Sequence, residues 1–175
     1  MLVGLLSDTH GARQMTAAAL RVLEQAGAEV FVHCGDVGGE GVLDELAGRP
    51  AWVVLGNTDD PEAWLLEHAR RLGLVAAAAG PMPVALDGRT IQVFHGYEFA
   101  MTRLLQRTME LGAVPADFGR CDYLVHGHTH IARDLRVGPV RVINPGALYR
   151  TALPTVAVLD LATDDLRFLA VEAAT

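Results

Sequence analysis

Five short apolar runs in this chain stop at a residue able to ligate a metal ion. They read Leu5-Leu6-Ser7-Asp8-Thr9-His10, Val32-His33-Cys34-Gly35-Asp36, Val53-Val54-Leu55-Gly56-Asn57, Val93-Phe94-His95-Gly96 and Val125-His126-Gly127-His128-Thr129-His130. Short runs rich in β-branched residues are strand patterns, and several are followed by longer stretches with helical spacing, the alternation of an α/β sheet. In open α/β sheets ligands bind beyond the carboxyl ends of parallel strands, so residues remote in sequence converge there. The glycines at 35, 56, 96 and 127 are expected to let the backbone turn sharply beside such a site.

The same periodicities predict strands over about 2–7, 29–34, 51–55, 84–87, 90–95, 122–126, 132–136, 140–144, 155–160 and 166–171, and helices over about 14–26, 41–47, 61–72 and 98–112. Asp59-Asp60-Pro61-Glu62 marks a helix start, with Asp60 as cap, Pro61 in the first helical position and Glu62 against the positive end of the dipole. Asp87-Gly88, Val137-Gly138-Pro139 and Ala162 to Asp165 are hairpin signals, so the second half is richer in antiparallel strands. The Ala76–Ala79 tract reads as a close-packed strand or a turn. No linker or repeat divides residues 1–175, and one domain is expected at this length.

Composition narrows the function classes. The chain is 51% apolar, yet it contains no uninterrupted stretch of the roughly 20 apolar residues that a spanning helix requires. The apolar opening lacks a basic leader and reaches Asp8 early, so a cytoplasmic protein without membrane association is expected. A net charge of −7, with all 14 basic residues arginine, disfavours extended nucleic acid as a partner. Cys34 and Cys121 lie in separate apolar runs without metal-type spacing and read as core residues.

Each candidate ligand alone has a plainer reading. Asp8 could cap the following helix, Asp36 and Asn57 could form Asx turns, and His95 could be a hydrogen-bonded strand-end residue. His128 and His130, two apart, share one side of an extended segment, a moderate metal signal. Chance would have to place Asp, His, Asp, Asn, His, His and His at the ends of five runs, and jointly they read as a metal site. Imidazole, carboxylate and amide oxygen without thiolate suit Mn²⁺, Fe²⁺, Zn²⁺, Co²⁺ or Ni²⁺.

The ordered blocks Asp-x-His, Gly-Asp, Gly-Asn, His-Gly and Gly-His-x-His resemble the calcineurin-like metallophosphoesterase superfamily. Gly56-Asn57-Thr58-Asp59, His126 to His130 and Asn144-Pro145-Gly146 resemble its small bacterial and archaeal phosphodiesterase branch. The resemblance implies a four-layer αββα sandwich of two mixed sheets flanked by helices, spanning residues 1–175 as one metallophosphoesterase domain. It implies two divalent metal ions, Mn²⁺ first among the candidates. Asp8, His10 and His130 would hold one ion, Asn57, His95 and His128 the other, and Asp36 would bridge them. The implied reaction is hydrolysis of a small phosphate ester, a diester before a monoester, by a metal-bridging hydroxide attacking phosphorus in line. Asp36, Asn57 and His95 would be the catalytic members.

The chain departs from the family in places. Larger relatives follow Gly-Asn with a His that can protonate the leaving group, and the small branch commonly has Cys; Thr58 stands here and is a poor acid. Tyr97 stands where relatives often have a further His. His33 and His126 read as core residues or as supports for the ligands, His68 as solvated surface, and Asp59 as a turn residue or one that orients a neighbouring group. Arg13 and Arg150 are near the motifs in sequence only. Two other functions on the same frame are a non-catalytic metal-binding scaffold of the retromer-subunit type and a nuclease, and homo-oligomers remain open.

Overall fold

A computed structural model describes residues 1–172. In chain order it contains β1 (Leu2–Leu6), α1 (Arg13–Gln25), β2 (Val30–Cys34), α2 (Glu40–Leu46), β3 (Ala51–Val54), α3 (Glu62–Arg71), β4 (Val75–Ala77), β5 (Met82–Leu86), β6 (Arg89–Val93), α4 (Phe99–Leu111), a 3₁₀ turn at Ala116–Phe118, β7 (Tyr123–Val125), β8 (Arg133–Val137), β9 (Val140–Asn144), β10 (Thr155–Asp160) and β11 (Asp165–Ala170). Two sheets form: a six-stranded one ordered β11-β10-β1-β2-β3-β4 and a five-stranded one ordered β5-β6-β7-β9-β8. In the first, β1 to β4 run parallel and β10 and β11 antiparallel. In the second, β6, β7 and β9 are parallel, and β5 and β8 pair antiparallel at its edges.

Strand alternation sorts the apolar residues into three layers of core. Val3, Leu5, Val30, Val32 and Cys34 from the first sheet meet Val84, Ile91, Val93, Tyr123, Val125 and Ile143 from the second. Their alternates Leu6, Phe31 and Val53 pack beneath Leu20, Leu23, Leu43, Leu46 and Leu65 of α1, α2 and α3. Phe94, Leu124 and Val142 do the same beneath Leu104 of α4. Two mixed sheets face to face with helices outside is the expected four-layer arrangement. Both cysteines are buried, and burial lifts the Cys34 thiol well above its ordinary range and Cys121 to about 12, as inert core thiols should behave.

The hairpin at Asp87-Gly88 forms with both residues at positive φ, 49° and 74°, the conformation that favours this pair. One local expectation is corrected. Asp60 does not cap α3: Pro61 occupies the N-cap position in extended conformation, the helix begins at Glu62, and the turn before it is closed by backbone bonds from Asp59 to Gly56 and Asp60 to Thr58. Of the two readings of the alanine tract, the strand holds at its start: Val75–Ala77 forms one on the edge of the first sheet, pairing with Trp52 to Val54.

Candidate metal centre

The loops after β1 and β2 continue the parallel ladder beyond the sheet, since Asp8 N donates to Gly35 O, His10 N to Asp36 O and Gly11 N to Val37 O. In the second sheet Gly127 N donates to His95 O at 2.7 Å. The carboxyl ends of the two sheets meet around one depression, where Asp36 approaches His95 and Asp8 approaches His130. Asp8 and His95 are fully buried, Asp36 is 3% exposed, and His10 and His130 are half-buried.

Asp36 lies between two imidazoles. Its Oδ1 is 3.3 Å from His95 Nε2 and its Oδ2 is 3.4 Å from His10 Nε2. Asp8 Oδ1 is 3.2 Å from His130 Nε2, and both Asp8 oxygens accept the His128 amide. The side chains form two overlapping groups, Asp8 with His10 and His130, and Asp8 with Asp36 and His95, within which the potential ligand atoms all lie within 4.8 Å of one another. Asn57 and His128 are exposed and stand outside these two groups, and the His128 ring centroid is 5.1 Å from that of His95.

Protonation states follow from the partners. His95 Nδ1 lies 2.8 Å from Cys34 O, and a carbonyl only accepts, so Nδ1 carries the proton and Nε2 presents its lone pair to the depression. His95 Nε2 and His10 Nε2 are both buried without a hydrogen-bond partner. Bare imidazole nitrogens facing buried carboxylates suit a cation, because it satisfies both at once. Burial raises the Asp8 pKa against the opposing Ser7 and histidine contacts, so the carboxylate is short of positive charge. Burial acts the same way on Asp36, but His95 and the Thr58 amide outweigh it and hold that carboxyl below the usual range. His95 is raised despite burial, mainly by Asp36.

The backbone around the depression is unusual. Asp8, His10, Asp36, His128 and His130 have φ of 53°, 43°, 51°, 66° and 58°, and they are five of the eight non-glycine residues with positive φ among the described residues. This region is disfavoured for residues with a Cβ, and its concentration at one place marks a locally strained site. Gly35 and Gly96 take positive φ as expected, whereas Gly56 and Gly127 are required for space. A methyl group at Gly56 would overlap the Asp36 carboxylate, and one at Gly127 would overlap Ser7 Oγ.

Two acidic residues organise these loops: Asp59, for which an orienting role was one reading, and Glu98, whose sequence context gave no sign of it. Asp59 is 6% exposed and accepts from Val37 N at 3.0 Å, Gly38 N at 2.7 Å and Gly56 N at 2.8 Å, joining the segment after Asp36 to the segment before Asn57. Glu98 accepts from Gly80 N, His95 N and Gly96 N at 3.0, 2.8 and 2.7 Å. Those amides overcome burial and keep the Glu98 carboxyl below its ordinary pKa. Asn144 also lies at the site, donating to Gly127 O and Thr129 Oγ1 while accepting the Gly146 amide, so it forms a turn and fixes the ligand loop together.

His33 is buried, accepts the Gly35 amide on Nδ1 and meets Thr9 Oγ1 with Nε2, and burial lowers its pKa to about 3. His126 is buried and bonded to Gly127 O. His68 is not simply solvated: it contacts Glu40 at 3.0 Å and Asp44 at 2.8 Å, linking α3 to α2. Arg13 pairs with Glu45 at 2.7 Å. Arg150 packs on Tyr149, whose ring is 5.8 Å from His10, and the 47%-exposed Tyr97 ring is 5.9 Å from His95.

Residues 1–164 match the model of the calcineurin-like phosphoesterase superfamily domain. The chain belongs to the calcineurin-like phosphoesterase superfamily. It is 26% identical over 176 residues to the phosphodiesterase MJ0936 of Methanocaldococcus jannaschii, covering 98% of this chain and 100% of that one. A solved archaeal phosphodiesterase superposes with a TM-score of 0.81 at 25% identity, covering 98% of this chain and 100% of that one. Vps29 of Entamoeba histolytica in complex with Zn²⁺ superposes with a TM-score of 0.60 at 18% identity, over 99% of this chain and 100% of that one, a likeness of fold alone. Phosphoesterase membership thus joins a cluster of side chains suited to divalent metals. No helix among the described residues is long and apolar enough to cross a membrane.

Proposed function

We propose that this chain is a single metallophosphoesterase domain over residues 1–175, cytoplasmic, hydrolysing a small phosphodiester with two divalent metal ions, Mn²⁺ first. The observation that carries the reading is the Asp36 carboxylate, with one oxygen toward His95 and the other toward His10, each imidazole presenting a buried bare nitrogen. Asp36 would bridge, with Asp8, His10 and His130 on one side and Asn57, His95 and His128 on the other. When bound, the ions supply a Lewis acid for the phosphoryl oxygens and a water acidic enough to act as a nucleophile near neutral pH. The chain orients the set through the Cys34 carbonyl on His95 and the Thr58 amide on Asp36. The exposed Thr58 hydroxyl is too weak an acid to protonate a poor leaving group, which favours diesters with good leaving groups.

The test is hydrolysis of bis(p-nitrophenyl) phosphate and p-nitrophenyl phosphate with Mn²⁺, Ni²⁺, Zn²⁺ or chelator. Faster diester turnover, lost in chelator and restored by metal, is expected, together with losses of at least about a thousandfold in Asp36→Ala and His95→Ala. Hydrolysis indifferent to chelator, or near-native turnover in either variant, refutes the two-metal reading. Two bound metals without hydrolysis of any ester would favour a scaffold instead.

A further inference from the structure

A cavity of about 250 Å³ lies beside the metal centre, between the loop after β2 and the start of α3. Gly38, Glu40, Thr58, Asp60, Pro61 and Trp64 line it. Thr58 belongs to both places, because its amide donates to Asp36 Oδ1 at 3.1 Å. The cavity therefore adjoins the position of a phosphate held by the proposed metal ligands.

Its chemistry is distinctive. Trp64, in the first turn of α3, is 54% exposed, and a large indole left in water at a cavity wall is apolar surface available for contact. The Arg71 guanidinium lies 5.6 Å from the indole centroid and 4.0 Å from Glu40, giving the ring support from its own helix. The wall's charged groups are carboxylates, and the Thr58 hydroxyl can donate or accept. Asp59 is occupied by three amides and Glu40 by His68, while Asp60 is exposed and makes no side-chain hydrogen bond or ion pair among the described residues. No arginine or histidine lines the cavity. A stacking surface backed by the Arg71 guanidinium and flanked by the unpaired Asp60 carboxylate complements a planar heterocycle bearing N–H donors.

We propose that this cavity receives the base of a nucleoside whose phosphodiester is held at the metal centre, with Trp64 as the stacking wall and Asp60 accepting from an exocyclic amine. The substrate class is then a small nucleoside phosphodiester carrying one base in the cavity. This rests on the phosphodiesterase reading above.

Adenosine 5′-(p-nitrophenyl phosphate) and methyl p-nitrophenyl phosphate share a leaving group and differ only in the retained ester. The native protein should prefer the adenosine ester in kcat/KM by at least about tenfold, from the usual strength of base stacking on an aromatic side chain. Trp64→Ala should remove most of that ratio, and Trp64→Phe should retain most of it. A native ratio near one, or a ratio unchanged in Trp64→Ala, overturns the proposal. Binding is read separately as quenching of tryptophan emission by adenosine monophosphate in Trp52→Phe, where Trp64 is the remaining indole. Saturable quenching in a protein that hydrolyses neither ester would sustain the pocket while refuting the hydrolase reading. Absence of quenching overturns the pocket.

Discussion

Asp59→Asn is the sharpest perturbation of the loop architecture, because it removes a charge while keeping the shape. Asp59 Oδ2 accepts Val37 N and Gly56 N, and Oδ1 accepts Gly38 N. An asparagine has one acceptor oxygen. Its better orientation keeps the two bonds to Val37 and Gly56 as neutral ones and turns an NH₂ group toward the Gly38 amide. One charge-assisted bond worth roughly 1.5–3 kcal/mol is lost and the other two weaken, for a total of about 3 kcal/mol. With a urea m-value of about 2 kcal/mol/M for a chain of this size, the unfolding midpoint in chelator should fall by about 1.5 M at unchanged m. Because the same carboxylate joins the segments carrying Asp36 and Asn57, Mn²⁺ affinity measured calorimetrically should also fall, by about tenfold. A midpoint within about 0.2 M of the native protein together with unchanged metal affinity would refute the reasoning, since loss of this carboxylate could not then be felt in either loop.

Gly127→Ala should fold yet lose metal and activity, because its methyl would displace Ser7 and crowd Asp8; full metal stoichiometry in the variant would contradict this. Below its unfolded pKa near 6.5, His33 takes up a proton only when the chain unfolds, since burial holds the folded value near 3. Its contribution therefore lowers stability as pH falls through that window, by up to about 1.4 kcal/mol per unit, and His33→Gln should flatten the stability–pH curve between pH 6 and 4; an unchanged slope counts against it. Thr58→His should raise turnover of esters with poor leaving groups relative to activated ones by roughly tenfold or more, read as a shallower dependence on leaving-group pKa, and an unaltered slope would show that proton donation there is not limiting.

The layers, and the convergence of Asp8, Asp36, His10, His95 and His130, were legible because burial leaves periodic marks. Val3 and Leu5 face one core and Leu6 the other, a pattern written directly in the order of residues. Asp8, His95 and His128 could be read because each closes such a run. Asp59 and Glu98 leave no comparable mark: their partners are backbone amides, which every sequence possesses, and only the folded path shows which amides converge. The strand at Val75–Ala77 carried little signal because alanine suits helix, turn and edge strand alike. Asp60 resembled a cap because the local pattern suited one, but Asp59 had already fixed the approach to α3. The space requirements at Gly56 and Gly127 depend on contacts with Asp36 and Ser7, residues distant in the chain.

The left-handed backbone at Asp8, His10, Asp36, His128 and His130 also bears on how such a chain can change over time. Each position would be relaxed by glycine, and at roughly 1 kcal/mol apiece the five together represent a large fraction of a domain's net stability. A descendant released from metal binding could therefore gain robustness by ordinary drift at these positions. Glycine substituted singly at His10 or His130 should raise the melting temperature of the metal-free protein while weakening its hold on metal. The present side chains oppose that gradient, so selection for the most stable apoprotein would erode the proposed metal centre.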